Sequence, residues 1–206
     1  RGDIVRGDSI FRELRGSKQE VVQIASLLKA KQWDITPRMG MEGTEESFLS
    51  MNGNAPQVLQ IATHGFYYTP DRAEKVDYLK GYSDAMSLSG IVLSGANAAW
   101  LGKKLPDGVL SGVLTANNIA RLDLGKTEMV VLSACQSGQG KATSEGLYGL
   151  QRAFKKAGVG TMVMSLWNVS DSVATEFMIT FYEQLVSGQC QWNKRKAFEQ
   201  AKSIIR

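Results

Sequence analysis

The stretch VVLSACQSGQG, residues 130–140, carries a short apolar run into Cys135 and then directly into a glycine-bearing loop. A brief, nearly unbroken apolar run closed by turn residues is the pattern of a strand buried on both faces. A thiol at its tip has two readings. Cysteine is among the most buried residue types, so it can be inert core. Alternatively it is a nucleophile, because a reactive thiolate needs an accessible loop position and a basic or cationic neighbour.

The neighbouring segments alternate helix and strand. QVLQIATHG (57–65) is a second apolar strand ending in Thr63, His64 and Gly65, and VGTMVMSLW (159–167) is a third. Between the Cys135 strand and this third one lies SEGLYGLQRAFKKAG, a helix with Leu147, Leu150, Phe154 and Ala157 on one side and Gly158 as its stop. Near the start, Ser17 and Glu20 fit a capping box ahead of the stripe Val21, Ile24, Ala25, Leu27 and Leu28, on a helix ending near Lys31. Thr44 reads as the cap of a short helix through Phe48 and Leu49, and Thr115 as the cap of TANNIARLDL. Ser170 caps DSVATEFMITFYEQLVSG, where Val173, Phe177, Phe181 and Leu185 recur every four residues and Gly188 is the stop; a basic helix from Trp192 to Ile205 follows. Residues 66–115 are expected to include a loop insertion: FYYTPDRAEKVDYLKGYSDAM is polar and aromatic, SGIVLSGAN offers one short strand, and AAWLGKKLPDGVLSG returns to loop and turn.

Apolar strands separated by helices imply an α/β protein with a mainly parallel sheet and helices on both faces. Sites in such sheets form at the carboxyl ends of the strands. His64 and Cys135 each stand at that end of a separate strand, so one rim of the sheet can hold both. From the pattern alone, a paired Cys and His and two unrelated structural residues remain equally open.

Composition narrows the chemistry. With 206 residues the chain can bury a sizeable core, and it reads as a single domain. It begins at Arg1 without an initiator Met or a signal-peptide pattern, and is expected to be a piece of a longer protein. No apolar run approaches the roughly 18–20 residues of a membrane span, so no membrane association is expected. The net charge of +4 is mild and the basic residues are scattered, which favours a solvated surface over direct nucleic-acid binding. Two cysteines, Cys135 and Cys190, make no disulfide framework, so a reducing, cytoplasmic setting is expected. Cys190, in the polar stretch GQCQWNK, reads as an ordinary residue. A single histidine leaves too few ligands for a His/Cys zinc site, and any imidazole chemistry belongs to His64.

Rival motifs fail. CQSGQGKAT lacks the first glycine of a phosphate loop, where Cys135 stands, and has Ala142 where Ser or Thr is required. No dinucleotide fingerprint G-x-G-x-x-G occurs after the first strand, and no G-x-S-x-G follows a strand.

The ordered blocks ATHGF, SGIVLSGAN, GVLTANNIARLDL, MVVLSACQSGQG and EGLYGLQRAFKKAGVGTMVMSLWNVSD resemble the CHAT family over about residues 16–187, whereas residues 66–86 match nothing in it. That family comprises caspase-like domains often associated with tetratricopeptide repeats in bacteria and related to separases. The resemblance implies a cysteine endopeptidase whose dyad is His64 and Cys135. In that chemistry Cys135 attacks the scissile carbonyl and His64 manages the proton. The Gly65 and Cys135 amides stabilise the oxyanion, and water hydrolyses the thioester. It requires no metal and no cofactor. By resemblance to separases, Asp171 lies at the base of a pocket for Arg or Lys; as a first-turn acid stabilising a helix it needs no such role. Trp167 either walls the cleft or belongs to the core, and Glu145 reads only as a helix N-terminal partner. The expected partners are a protein substrate and a tetratricopeptide-repeat region or regulatory protein, with bacterial antiviral defence one setting. Two other classes remain open: a catalytically silent caspase-like interaction domain, and a cysteine-dependent amidase or acyl transferase.

Overall fold

The structure is a computed structural model that describes residues 11–133, 144–165 and 170–205, excluding the side chains of residues 15, 144–148 and 171. In chain order it forms α1 (Arg15–Ala30), α2 (Glu45–Leu49), β1 (Val58–Ala62), β2 (His64–Tyr67), α3 (Pro70–Ala73), β3 (Ser89–Val92) and α4 (Ala96–Trp100). There follow β4 (Val113–Thr115), α5 (Ala116–Ile119), β5 (Met129–Ser133), α6 (Ser144–Lys156), β6 (Thr161–Met164), α7 (Asp171–Leu185) and α8 (Lys194–Ile204). The chain divides into two compact units, one of Arg1–Glu13 with Met39–Asn168 and the other of Leu14–Arg38 with Val169–Arg206.

The first unit holds the expected parallel sheet flanked by helices. Its strand order is β1-β5-β6, all parallel, with Ala62 opposite Ser133 at the carboxyl end. Met129, Val130, Val131 and Leu132 are all buried, as a strand covered on both faces requires. One face packs Ile61, Leu132, Ile119 and Phe154 in a common core with Ile91 and Leu114. Ala153, Phe154 and Ala157 of α6 lie in that core, and Gly158, at φ +99, ends the helix as the sequence indicates.

A second, antiparallel sheet of order β2-β3-β4 was not legible as such. Only Thr63 separates β1 from β2, so the chain leaves the parallel sheet and enters the antiparallel one within one residue. The strands of this second sheet are three or four residues long, too short for a periodicity to declare itself. Close backbone approach explains two glycines. A Cβ on Gly90 would lie 2.4 Å from the Leu114 carbonyl, and one on Gly149 would lie 2.4 Å from the Ser89 hydroxyl, so α6 settles directly on β3.

Caps agree with the sequence at three helices. Thr44 accepts from the Ser47 amide at 3.2 Å, Thr115 and Asn118 form a capping box, and Ser170 accepts from the Val173 amide at 3.4 Å. The acids that follow Thr44 act at a distance from their helix. Buried Glu45 accepts from the Gly112 amide at 2.8 Å and the Ser111 hydroxyl at 2.9 Å, fixing the entry to β4.

In the second unit, α1 packs with α7 and α7 with α8, burying Ile24, Leu28, Phe181, Leu185, Ala197 and Ala201. Three boundary readings are corrected here. The capping box at Ser17 does not form: α1 begins at Arg15 behind Leu14, and Glu20 is 2% exposed. Glu20 faces the interior near Tyr182, whose phenol pKa is raised first by burial and then by that carboxylate. Next, α7 ends at Leu185 rather than at Gly188, and Val173, the first member of its four-residue series, is 44% exposed. Finally α8 begins at Lys194, because the Asn193 side chain accepts from the Lys196 amide and caps it.

Candidate active site

His64 opens β2, directly after the carboxyl end of β1, and is half-buried. Thr63 anchors the junction by donating its hydroxyl to the Val92 carbonyl. In β2 the residues alternate faces, so His64 and Phe66 point to one side. That side belongs to a cluster built on Trp100, which meets Phe66 edge-on at 5.1 Å between ring centroids. Tyr68 and Tyr78 complete it at 5.8 and 6.3 Å from Trp100. Burial raises the pKa of both phenols, so the aromatic cluster around Trp100 is uncharged.

Gly65 is buried and pairs with Ile91. The Tyr68 amide donates to Leu88, which makes 68 and 88 a hydrogen-bonded pair; alternation along an antiparallel ladder makes 65 and 91 a non-bonded one. The Gly65 N–H therefore points away from β3, toward the side of β2 that pairs with no strand among the described residues.

The imidazole has a partner that sequence reasoning missed. His64 Nε2 lies 2.6 Å from the carbonyl oxygen of Arg12. The Phe11 ring packs between His64 and Trp100, at 5.4 and 4.9 Å between centroids. Asn97, on α4, receives the Phe11 amide at 2.7 Å and donates to the Phe11 carbonyl at 3.0 Å. Asn97 and Trp100 are three apart on one helix, a spacing that places both on one face. Nothing in the sequence tied that face to residues 11–12.

The other expected site residues are placed unevenly. Cys135 and Trp167 lie outside the described residues. Ser133 ends β5, so Cys135 follows it by two positions, just as His64 follows Ala62 on the paired strand. Asp171 is the first residue of α7 in the second unit, immediately after the cap Ser170; its side chain is outside the described set. Glu145 is the second residue of α6, also without a described side chain. Cys190 is a buried free thiol donating to Gln200 Oε1 at 2.8 Å. Among the described residues no group of three or more His, Cys, Asp or Glu could hold a metal ion, and no helix is long and apolar enough to cross a membrane.

Comparison with known proteins places these features in a wider set. The CHAT domain family profile matches residues 5–206, spanning both units. Tetratricopeptide repeat protein 28 of Mus musculus is 37% identical over 76 residues, which is 37% of this chain and 3% of that protein. The Homo sapiens protein of the same name is 36% identical over 76 residues. The chain thus aligns with only 3% of the length of these relatives. No solved structure gives a significant match.

Proposed function

This chain belongs to the CHAT domain family, a caspase-like, peptidase-related family, and on that premise we propose that it is a cysteine endopeptidase acting through His64 and Cys135. The observation that carries the reading is the register of β1 on β5. Ala62 faces Ser133 across parallel strands, and the imidazole and the thiol each belong to the second residue beyond that pair. Sites in parallel sheets form at the carboxyl ends of the strands, and both residues follow that end of paired neighbours, which supports reading them as one dyad.

The thiol proton passes to His64 as the thiolate forms, and the thiolate adds to the scissile carbonyl. The Gly65 N–H, aimed off the side of β2 away from β3, and the Cys135 N–H take the oxyanion. Collapse to the thioester expels the amine, which recovers the proton from the imidazolium, and water then cleaves the thioester. Asp171 is proposed to select Arg or Lys before the scissile bond by a charge-assisted pair, with Trp167 against the substrate. We take both units together as one peptidase domain, since the family profile runs across them. The similarity to a tetratricopeptide repeat protein supports a repeat region or regulatory partner acting beside this domain, and two cysteines that make no disulfide framework support a reducing, cytoplasmic compartment.

A peptide library varied at the residue before the cleaved bond tests the reading. Cleavage lost in Cys135→Ala and reduced by at least ~100-fold in His64→Ala is expected. Absence of thiol-dependent cleavage, with Cys135 unreactive to alkylation, would replace the peptidase with a silent interaction domain. Cleavage after residues other than Arg or Lys would remove Asp171 from the pocket. Turnover of small amides alone would make the chain an amidase.

A further inference from the structure

We propose that Asn97 is a positioning residue for His64, acting through the backbone of Phe11 and Arg12. The proposal deepens the peptidase reading, and its role in proton transfer rests on that reading.

The observation is a chain of contacts with one chemical direction. The Asn97 amide engages both main-chain groups of a single residue, accepting from the Phe11 N–H at 2.7 Å and donating to the Phe11 carbonyl at 3.0 Å. These two partners fix which end of the amide is oxygen and which is nitrogen. The Phe11 ring is held between Trp100 and the imidazole itself. The backbone at residue 11 is thereby pinned by a side chain on α4 and by a buried indole. The next carbonyl, that of Arg12, then falls 2.6 Å from His64 Nε2.

A backbone carbonyl can only accept a hydrogen bond, so Nε2 carries a proton in every state that keeps this contact. The lone pair of the neutral ring is then on Nδ1. In the first transfer the S–H bond breaks and an Nδ1–H bond forms, giving thiolate and imidazolium. In the second, the Nδ1 proton leaves with the departing amine. The Nε2–H stays on Arg12 throughout. The contact thus sets both the tautomer and the ring angle, the two properties a general base must have before substrate arrives. Asn97 touches neither reacting atom; it acts by keeping residues 11–12 where they can hold the ring.

His64 is the single histidine of the chain, so imidazole nitrogen resonances report on it alone. The test compares the full 206-residue chain with Asn97→Ala, Asn97→Asp and Phe11→Ala, recording those resonances above the pH range in which imidazole titrates, together with kcat and KM on a peptide cleaved in a Cys135-dependent manner. Asn97 is half-buried on a helix, and Ala is the strongest helix former, so folding is retained. The wild-type ring is expected as the pure Nε2–H tautomer. Asn97→Ala and Phe11→Ala are expected to give mixed tautomers and a loss in kcat of ~10-fold or more, with KM within about 2-fold. Asn97→Asp keeps the acceptor for the Phe11 amide but faces its carbonyl with a second oxygen, and is expected to fail like Ala. Identical imidazole spectra in wild type and Asn97→Ala would overturn the proposal, and so would an altered tautomer with unchanged kcat. A wild-type chain without Cys135-dependent cleavage would sink the peptidase reading, and the spectra alone would then decide whether Asn97 holds the ring.

Discussion

Replacing Gly149 with Ala sets two effects of known size against each other. In an ordinary helix interior the change is stabilising by about 1 kcal/mol, because glycine is the poorest helix former after proline. Here the new Cβ would stand 2.4 Å from the Ser89 hydroxyl and 3.3 Å from the Ala85 carbonyl. Ser89 is fully buried, and its hydroxyl donates to that same carbonyl at 2.7 Å, so it cannot turn aside without breaking the bond. Overpacking costs about 1–3 kcal/mol, and losing the hydrogen bond costs about 1 kcal/mol more. Subtracting the helix gain leaves a net destabilisation of about 1–3 kcal/mol. For a chain of this size that is roughly 2–12 °C in Tm. Urea unfolding and calorimetry of Gly149→Ala, Ser89→Ala and the double variant measure it. The double variant is expected to be at least as stable as Ser89→Ala alone, since without the hydroxyl the helix preference of Ala is recovered. A Gly149→Ala chain as stable as wild type would refute the packing of α6 on β3 deduced here.

Other consequences are equally open to measurement. The end of α1 forms the double hydrogen bond of a Schellman turn, Gln32 N–H to Lys29 at 2.9 Å and Trp33 N–H to Leu28 at 3.1 Å, yet its left-handed position, φ +65, is occupied by Gln32 instead of glycine. Gln32→Gly is expected to raise stability by about 0.5–1 kcal/mol, the relief of left-handed strain less the added freedom of the unfolded chain, read as a higher urea midpoint. Glu45→Ala strips a buried acceptor from the Gly112 amide and the Ser111 hydroxyl and is expected to cost about 2–3 kcal/mol in chemical unfolding. Asp84 has its pKa lowered, first by the Ser87 side chain and further by the Ser87 and Met86 amides and Asn117. Its folded pKa lies below the unfolded value, so its contribution is fully present above about pH 4 and is lost as pH falls through the lowered value. Asp84→Asn should therefore flatten the acid limb of a Tm–pH curve, and an unchanged limb would discount these bonds.

Much of the first unit could be read from residues alone because the central strand of its parallel sheet, β5, is buried on both faces. An unbroken run such as Met129–Leu132 announces itself whatever surrounds it. Caps were legible where a side chain closes its own helix, as at Thr44, Thr115 and Ser170, since the signal and the bond are three residues apart. Ser17 and Glu20 carry the same local signal, but Glu20 is drawn into the interior of its unit, and burial outweighs the cap. The antiparallel sheet escaped notice because its information is non-local: Gly90 is explained by Leu114 and Phe66, and Gly112 by Ser94 and Ala96. His64 was found by being the only imidazole, whereas its carbonyl partner could not be. A backbone acceptor has no residue type, and Arg12 is separated from His64 by α1, α2 and β1.

The second unit is assembled from two segments far apart in sequence, α1 in one and α7 with α8 in the other, with Met39–Asn168 intervening along the chain. During synthesis α1 leaves the ribosome about 140 residues ahead of α7, and its Ile24 and Leu28 stay unburied until α7 has followed. At roughly 5–20 residues per second that is a delay on the order of ten seconds or more. In that interval α1 is a helix with an apolar stripe and no partner, and a chain stalled or truncated before Val169 would carry that stripe permanently. Quality-control factors that recognise exposed apolar segments would then tell a finished second unit from an unfinished one by the state of α1 alone.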